Sequence, residues 1–424
     1  MFASPRRLDL KLFCTLQRSV NSKTLESWPE LPIVIDVDGS QSQVNATNVI
    51  AALRHHNRVC KISYSNRQHQ DSPLLKEFAA IDEPFPALTA LNLFAYGPNV
   101  PVLPDSFLGG SAPRLRSLYL NGFPYPSIGT LLSSTTNLVE LCLSDIPHSG
   151  YIAPETIVPS LSTLARLESL SLHFQFPRSR AHRENRHPPP LTRVVLPSLT
   201  LFDFPGDIEY LEDILSQIET PMLKQSEFYF FNQLVFDTPL LGHFIRRTET
   251  FMKTHSALVL CSESAISIIL SEQEDDYRTP VLWLAISCEP LDWQLSALAQ
   301  VLNSFLSSLP TLESLQIEVT RKDWEGEIEV IQWREFLHPF TSVKKLALKS
   351  EDLVRLVAPA LQELAGERAT EVLPALQNLF LDTKDWRPSG PVKEAIEQFI
   401  AARQLCGHPV TVHYWDRESG EYVQ

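Results

Sequence analysis

The sequence lacks most of the signatures that mark an enzyme or a secreted protein. Its six cysteines are scattered without any C-x-x-C pair, a pattern that favours free thiols in a reducing compartment over a disulfide framework. It contains no P-loop, no dinucleotide-binding glycine fingerprint and no G-x-S-x-G motif. We therefore predict no cofactor and no metal site.

Long apolar runs and excess positive charge are missing as well. The most apolar stretch, SALVLCSESAISIIL, contains Glu263 and is too short to span a bilayer. Arg6 and Arg7 are not followed by the apolar segment of a signal peptide. A net charge of −14 argues against a phosphate-backbone partner. These features predict an intracellular protein, cytoplasmic or nuclear, with neither a nucleic-acid nor a membrane partner.

Leucine, by contrast, recurs at fixed spacing along the whole chain. The pattern L-x-x-L-x-L occurs five times, and looser versions with Val, Ile, Phe or Tyr fill the intervals. Successive starts are 23 to 33 residues apart, and several follow a proline. Such a period indicates an internal repeat. The starts are Pro5, Glu30, Val59, Leu88, Leu115, Leu138, Leu167, Leu199, Leu223, His255, Val281, Leu312, Val343 and Leu376.

Each repeat combines a strand signal with a helix signal. The fourth and sixth positions of the run point to one side of a strand, and segments such as EYLEDILSQI and SEDLVRLVAPALQELAG have helical periodicity. One strand and one helix per repeat is typical of the leucine-rich-repeat fold. We predict an α/β solenoid over residues 1–424, with a curved parallel sheet on the concave face and helices on the convex face.

Three departures from the regular repeat are expected. The usual Asn or Cys at the ninth position is replaced by Tyr96, Phe123, Ile146 and Lys384, so no Asn ladder can bind the loop backbone. Residues 205–280 match the pattern least and are predicted to form irregular repeats. Residues 176–195, rich in Arg, His and Pro, are predicted to form a basic surface insertion.

Several segments resemble one family. NVIAALRHHNRVCKI, VLPDSFLGGSAPRLRSLYLNG, DIPHSGYIAPE and APALQELAGERATEVLPALQNLFL are similar to fungal (basidiomycete) F-box and leucine-rich-repeat proteins. In that family an F-box module lies upstream and ends near a stretch similar to FASPRRLDLKL. The resemblance implies that residues 1–424 lack the F-box, which was lost or lies in an upstream exon. A ligase adaptor would then bind only if an F-box precedes this chain.

One enzymatic alternative stays open. LPIVIDVDGS ends in Asp36-x-Asp38-Gly39-Ser40 and resembles the first motif of haloacid-dehalogenase-type phosphatases, and Asp275-Asp276 offers a later acidic pair. In that chemistry one Asp attacks phosphorus and the second acts as acid and base. The leucine-rich surroundings favour a strand followed by an Asp-Gly turn.

Histidine clusters offer weaker alternatives. His182 and His187 have loose metal spacing but no Cys or carboxylate cluster beside them, so we predict no metal ligand there. His413 and Asp416 lack a Ser or Cys nucleophile nearby in the sequence. No catalytic residue is therefore assigned.

A binding surface remains. Positions three, five and seven of each run are predicted to face the concave side, opposite the leucines. Mixed aromatic and polar side chains there suit a protein or peptide partner. We predict a non-enzymatic interaction module, for which the resemblance implies substrate recognition in a cullin–RING ubiquitin ligase of the F-box type. The candidate partner-binding residues are Phe94, Tyr119, Asp203, Tyr229, Trp283, Gln316 and Phe380.

Overall fold

Each leucine-rich run forms a short strand that buries its leucines. In β4 (Ala90–Ala95), Leu91 and Leu93 are fully buried, whereas Asn92 and Phe94 on the other side are half-buried. This alternation follows from the two-residue period of a strand. The computed structural model describes residues 7–10, 23–26, 30–38, 45–66, 73–97, 99–177, 192–233, 235–274, 276–288, 291–320, 330–363, 368, 370–382, 390–416 and 421–423.

The chain divides into two compact units. The first comprises Met1–Gly206 and Ser216–Leu223, and the second comprises Asp207–Leu215 and Lys224–Gln424. The expectation of one solenoid through residues 1–424 stays a prediction.

Parallel strands build the first unit. Its main sheet runs β1, β2, β3, β4, β5, β6, β7, β9, and each strand pairs in parallel with the next. A separate pair joins β8 to β10. Besides β4, the strands are β1 Leu8–Asp9, β2 Ile33–Asp38, β3 Val59–Asn66, β5 Ser117–Asn121, β6 Glu140–Ile146, β7 Ser169–Phe174, β8 Val194–Val195, β9 Leu201–Gly206 and β10 Ile218–Glu219.

Short helices connect these strands. Helix α2 begins after the N-cap residue Asn45, whose side chain accepts a hydrogen bond from the backbone N–H of Asn48. The helices are α1 Lys23–Glu26, α2 Ala46–Leu53, α3 Pro73–Ala79, α4 Ile128–Ser134 and α5 Pro154–Leu161.

The second unit interrupts the parallel order with one inserted strand. Its sheet runs β11, β14, β13, β12, β15, β16, β17, β18, β19; β13 is antiparallel to both β12 and β14. The pairs β12–β15, β15–β16, β16–β17 and β17–β18 are parallel. The last strand, β19, pairs with β18 in the antiparallel direction. The strands are β11 Gln225–Phe230, β12 Ser256–Cys261, β13 Ala265–Ser271, β14 Leu282–Ser287, β15 Ser314–Val319, β16 Lys345–Leu348, β17 Asn378–Leu381, β18 Thr411–Asp416 and β19 Glu421–Val423.

Longer amphipathic helices accompany these strands. Leu295, Leu298 and Leu302 are spaced three and four residues apart in α8 and are all fully buried, as one face of a helix should be. The helices are α6 Ile208–Gln217, which begins in the second unit and crosses its boundary, α7 Pro239–Arg247, α8 Leu291–Asn303, α9 Val330–Leu337, α10 Glu351–Glu363 and α11 Pro391–Leu405.

Strand, loop and helix thus recur along the chain, and the strand leucines and the buried helix faces form the core. This is the α/β leucine-rich-repeat architecture that the leucine spacing predicted. Residues 205–280 keep a strand-and-helix alternation but contain the antiparallel β12–β13 hairpin. The predicted insertion at 176–195 falls mostly on residues 178–191, which lie outside the described part of the chain.

Arginine side chains bind backbone carbonyls between the strands, where an Asn ladder is missing. Arg58 donates to the carbonyl oxygens of Leu25 and Leu31 at 3.2–3.4 Å. Arg403, fully buried in α11, donates to those of Pro374 and Leu376 at 3.2 and 2.9 Å. A guanidinium carries five donors, so one side chain can satisfy several buried carbonyls in an irregular turn.

Candidate functional site

The strand side chains that do not face the core form the candidate site. In β4, β5 and β9 the side chains opposite the buried ones are almost all half-buried, and they carry polar and aromatic groups. We call this side of the strands the open face. Helices bury the opposite side, so the open face carries the strand side chains of each unit that remain accessible.

All seven predicted partner-binding residues lie on the open face of a strand. Tyr229 and Trp283 are the most accessible, with 36% and 42% of their surface exposed. The other five, half-buried in each case, are Phe94 of β4, Tyr119 of β5, Asp203 of β9, Gln316 of β15 and Phe380 of β17. The first unit thus holds Phe94, Tyr119 and Asp203, and the second unit holds the other four.

In the first unit the open face is polar. One row, fixed by the strand register, crosses seven strands and contains Tyr119 and Asp203. Tyr119 Oη donates to Glu140 Oε2 at 3.2 Å, and His173 Nε2 lies 2.5 Å from Asp203 Oδ2. Neighbouring side chains already bind both predicted residues. The row is Asp36, Ser63, Asn92, Tyr119, Cys142, Ser171 and Asp203.

Cysteine, histidine and aspartate meet in this region, an arrangement that invites comparison with a catalytic triad. Cys142 is aligned with Ser171, which is aligned in turn with Asp203, the partner of His173. Burial, however, raises the pKa of the Cys142 thiol. Because a nucleophilic cysteine needs a lowered pKa, Cys142 is suited to packing and not to covalent catalysis.

The structure provides no support for phosphatase chemistry at Asp36. This residue lies inside β2, aligned with Ser63 of β3 and half-buried on the open face. The side chain of Asp38, and the whole of Asp275, lie outside the described residues. Over the described ranges, no three His, Cys, Asp or Glu side chains are grouped to hold a metal ion.

In the second unit the open face becomes apolar at its centre. Across β14, β13 and β12, Trp283, Ile269 and Leu258 are aligned by direct strand pairing, and Gln316 of β15 continues the row. The adjacent row adds the apolar Leu260. We call the ten open-face residues of these two rows the apolar patch: Glu227, Tyr229, Trp283, Ala285, Ser267, Ile269, Leu258, Leu260, Gln316 and Glu318.

Each of the two outer strands of the apolar patch, β11 and β15, carries a glutamate. On β11, Gln225 Nε2 donates to Glu227 Oε1 at 2.8 Å. On β15, Gln316 Nε2 donates to Glu318 Oε1 at 2.5 Å. The two edges therefore share one arrangement, in which a glutamine orients a glutamate two residues further along the strand.

An aromatic cluster occupies the C-terminal edge of the same sheet. Phe380 stacks on His413, with ring centroids 4.5 Å apart, and meets Tyr422 edge-on at 5.1 Å. Lys349 Nζ lies 5.2 Å from the Tyr422 ring centroid and 3.1 Å from its hydroxyl. Of these residues the sequence predicted only Phe380 as a site residue. The alternation of His413 and Trp415 with Val412 and Tyr414 was the available signal.

A cleft of about 210 Å³ lies away from the open face, between α8, α9 and the segment before α7. Trp293, 43% exposed, and Phe236 form its apolar walls, and Gln233, Gln300 and Gln332 add amide groups. Sites for drug-sized ligands measure about 300–1,000 Å³. The cleft is therefore small for a cofactor.

None of the helices in the described residues is both long and apolar enough to cross a bilayer.

Comparison with known proteins adds a distant likeness to solved structures. No family model matches the chain, and no curated protein matches it. Among solved structures, the leucine-rich-repeat-containing protein LegL7 from Legionella pneumophila is similar at 12% identity over 93% of this chain and 97% of its own, with a TM-score of 0.28. The fold assignment above rests on the strands, helices and burial of the chain itself.

Proposed function

We propose that this chain is a non-enzymatic interaction module that binds a protein or peptide through the open face of its strands. Trp283 is the observation that supports this most directly. It is the second residue of β14 and lies between two fully buried leucines, Leu282 and Leu284, yet 42% of its own surface is exposed. A large aromatic held rigidly on a sheet and left exposed is typical of an interface anchor.

The finer proposal concerns the biological role. The resemblance to F-box and leucine-rich-repeat proteins supports substrate recognition in a cullin–RING ubiquitin ligase, in the cytoplasm or nucleus of a fungal cell. Recruitment of the ligase adaptor would require an F-box joined to this chain. That the open face is the concave face of a solenoid is part of the same proposal.

A selection experiment tests the binding function. A library of random dodecapeptides displayed on phage is selected on the purified chain, and the enriched peptides are then measured against variants. Trp283→Ala should weaken the binders by at least about 2 kcal/mol, as the loss of an interface anchor does. Trp293→Ala is the matched control, because Trp293 is equally exposed but lies on a helix. Binders that lose affinity with Trp293→Ala and not with Trp283→Ala would contradict the proposal.

The ligase role needs its own assay. The chain is fused to an F-box and combined with adaptor, cullin, RING protein, ubiquitin and a carrier protein bearing a selected peptide. Ubiquitin transfer to the carrier should depend on Trp283. If Trp283→Ala leaves ubiquitin transfer unchanged, the ligase does not recognise its substrate through Trp283 on the open face.

A further inference from the structure

We infer that the apolar patch binds a polypeptide segment whose large apolar residues are flanked on both sides by Lys or Arg. This inference deepens the proposed function and rests on it. The apolar centre supplies contact area for large side chains through Trp283, which is 42% exposed, and through the half-buried Ile269 and Leu260, whereas Leu258 is buried. The flanking requirement comes from the charges around that centre.

The patch contains two carboxylates and no cationic side chain. Glu227 and Glu318 stand on its outer strands, β11 and β15, each oriented by a glutamine of the same strand. A segment that places a cation at each edge would meet an oriented carboxylate on both sides. An acidic segment would meet like charge at both edges, which disfavours binding.

The charge of the whole unit favours the same partner. The second unit carries 33 Asp and Glu against 18 Lys and Arg, a net charge of −15, whereas the first unit carries 17 against 18. The whole net negative charge of the chain therefore belongs to the unit that contains the apolar patch, and the first unit has a net charge of +1. Such a field attracts a cationic segment and speeds its association at low salt.

The strand spacing sets the distance between the two cations. Four inter-strand steps separate β11 from β15, which at about 4.8 Å each gives about 19 Å. An extended peptide covers that distance in about six residues at about 3.3 Å per residue. The expected segment thus has two basic residues about six positions apart with large apolar residues between them.

Three fluorescein-labelled peptides test this inference by fluorescence anisotropy. The first is Lys-Gly-Leu-Phe-Leu-Gly-Lys, the second has Glu at both ends, and the third has Ser in place of the three apolar residues. At about 50 mM salt, where screening is weak, the first should bind at least about tenfold more tightly than either of the others. Raising the salt to about 500 mM should shrink its advantage over the Glu peptide.

Protein variants assign the preference to the patch. The double variant Glu227→Gln with Glu318→Gln should bring the Lys and Glu peptides to within about twofold of each other, since it removes both edge charges. Glu313→Gln is the matched control, because Glu313 is an exposed carboxylate of the same unit that pairs with Lys344 outside the patch. It should keep the preference.

The outcomes separate the inference from the proposed function. If the Lys and Glu peptides bind alike and Trp283→Ala weakens both, the charge assignment is wrong and the binding function stands. A Lys preference that the double variant keeps, or that Glu313→Gln abolishes equally, overturns the inference, as does absence of binding by any of the three peptides to folded protein. Failure of the phage selection to yield a Trp283-dependent binder would refute the binding function itself.

Discussion

Phe380 and His413 occupy aligned positions of the parallel strands β17 and β18, and their rings stack with centroids 4.5 Å apart and planes 12° apart. His413 Nε2 also lies 3.2 Å from Asn378 Oδ1. Burial lowers the pKa of His413 below its ordinary value of 6.5. The imidazole is therefore harder to protonate in the folded protein than in the unfolded chain.

This shift predicts a pH dependence of stability. Because the unfolded chain binds the proton at higher pH, stability should begin to fall as the pH drops below about 6.5 and should continue to fall until it passes the lower folded pKa. His413→Phe keeps a stacking ring without a proton site, so its loss of stability between pH 7.5 and 5.5 should be smaller. Urea unfolding at both pH values measures the difference. Parallel losses in the two proteins would show that His413 does not contribute.

Truncation of a strand leucine should be costly. Leu118 of β5 is fully buried, so Leu118→Ala removes packed methyl groups and should lower the free energy of unfolding by about 2–5 kcal/mol. Tyr119→Ala, one residue further on the open face, should cost about 1 kcal/mol, mainly through the lost hydrogen bond to Glu140. Chemical denaturation of both variants compares them. Equal losses of stability would contradict the assignment of Leu118 to the core and of Tyr119 to the open face.

Arg403 should be more important for stability than its formal charge suggests. Arg403→Met would remove the side-chain donor to the buried carbonyl oxygen of Leu376, at about 1–3 kcal/mol, and to the part-buried one of Pro374, at a smaller cost. Arg355→Met is the matched control, because Arg355 is exposed and pairs with Glu351 within α10. It should change stability by at most about 0.5 kcal/mol. A similar effect of both substitutions in thermal unfolding would argue against a carbonyl-binding role for Arg403.

Thiol reactivity should separate the cysteines by burial. Cys406 is exposed, whereas burial raises the pKa of Cys142 and raises that of Cys261 to about 12. Since the thiolate is the reactive form, iodoacetamide at pH 8 should label Cys406 first and Cys261 last among these three cysteines. Peptide mass spectrometry over time gives the order. Rapid labelling of Cys142 would reopen the comparison with a catalytic triad at His173 and Asp203.

The leucine spacing predicted the strands well because burial of alternate residues leaves a direct trace in sequence. Thirteen of the fourteen repeat starts precede a strand, and the other, Val59, is the first residue of β3. The strand β13 was missed, since Ala265–Ser271 is not preceded by a loop leucine at the right spacing. Its stretch, SALVLCSESAISIIL, was assigned to a repeat only in its first half, after His255, and Glu263 lies in the turn of the antiparallel hairpin that joins the two halves.

The open-face positions were also predictable, but their partners were not. Alternation places Trp283 and Asp203 on a face, whereas the alignment of Trp283 with Ile269, or the contact between His173 and Asp203, depends on the register between separate repeats. The arginine contacts to loop carbonyls were hidden for a similar reason. Arg403 and Leu376 are 27 residues apart, and no local pattern joins them.

The exchanged strand order of the second unit affects how this part of the chain folds and evolves. In a regular repeat array, each unit meets only its neighbours, so repeats can be gained, lost or folded one at a time. Here β11 pairs with β14 and β12 with β15, so the two connections overlap and residues 225–319 form one indivisible block. Deleting a single repeat from it would leave two strands without partners. Native-state hydrogen exchange should show these five strands opening together, and changes of repeat number should be tolerated only outside them.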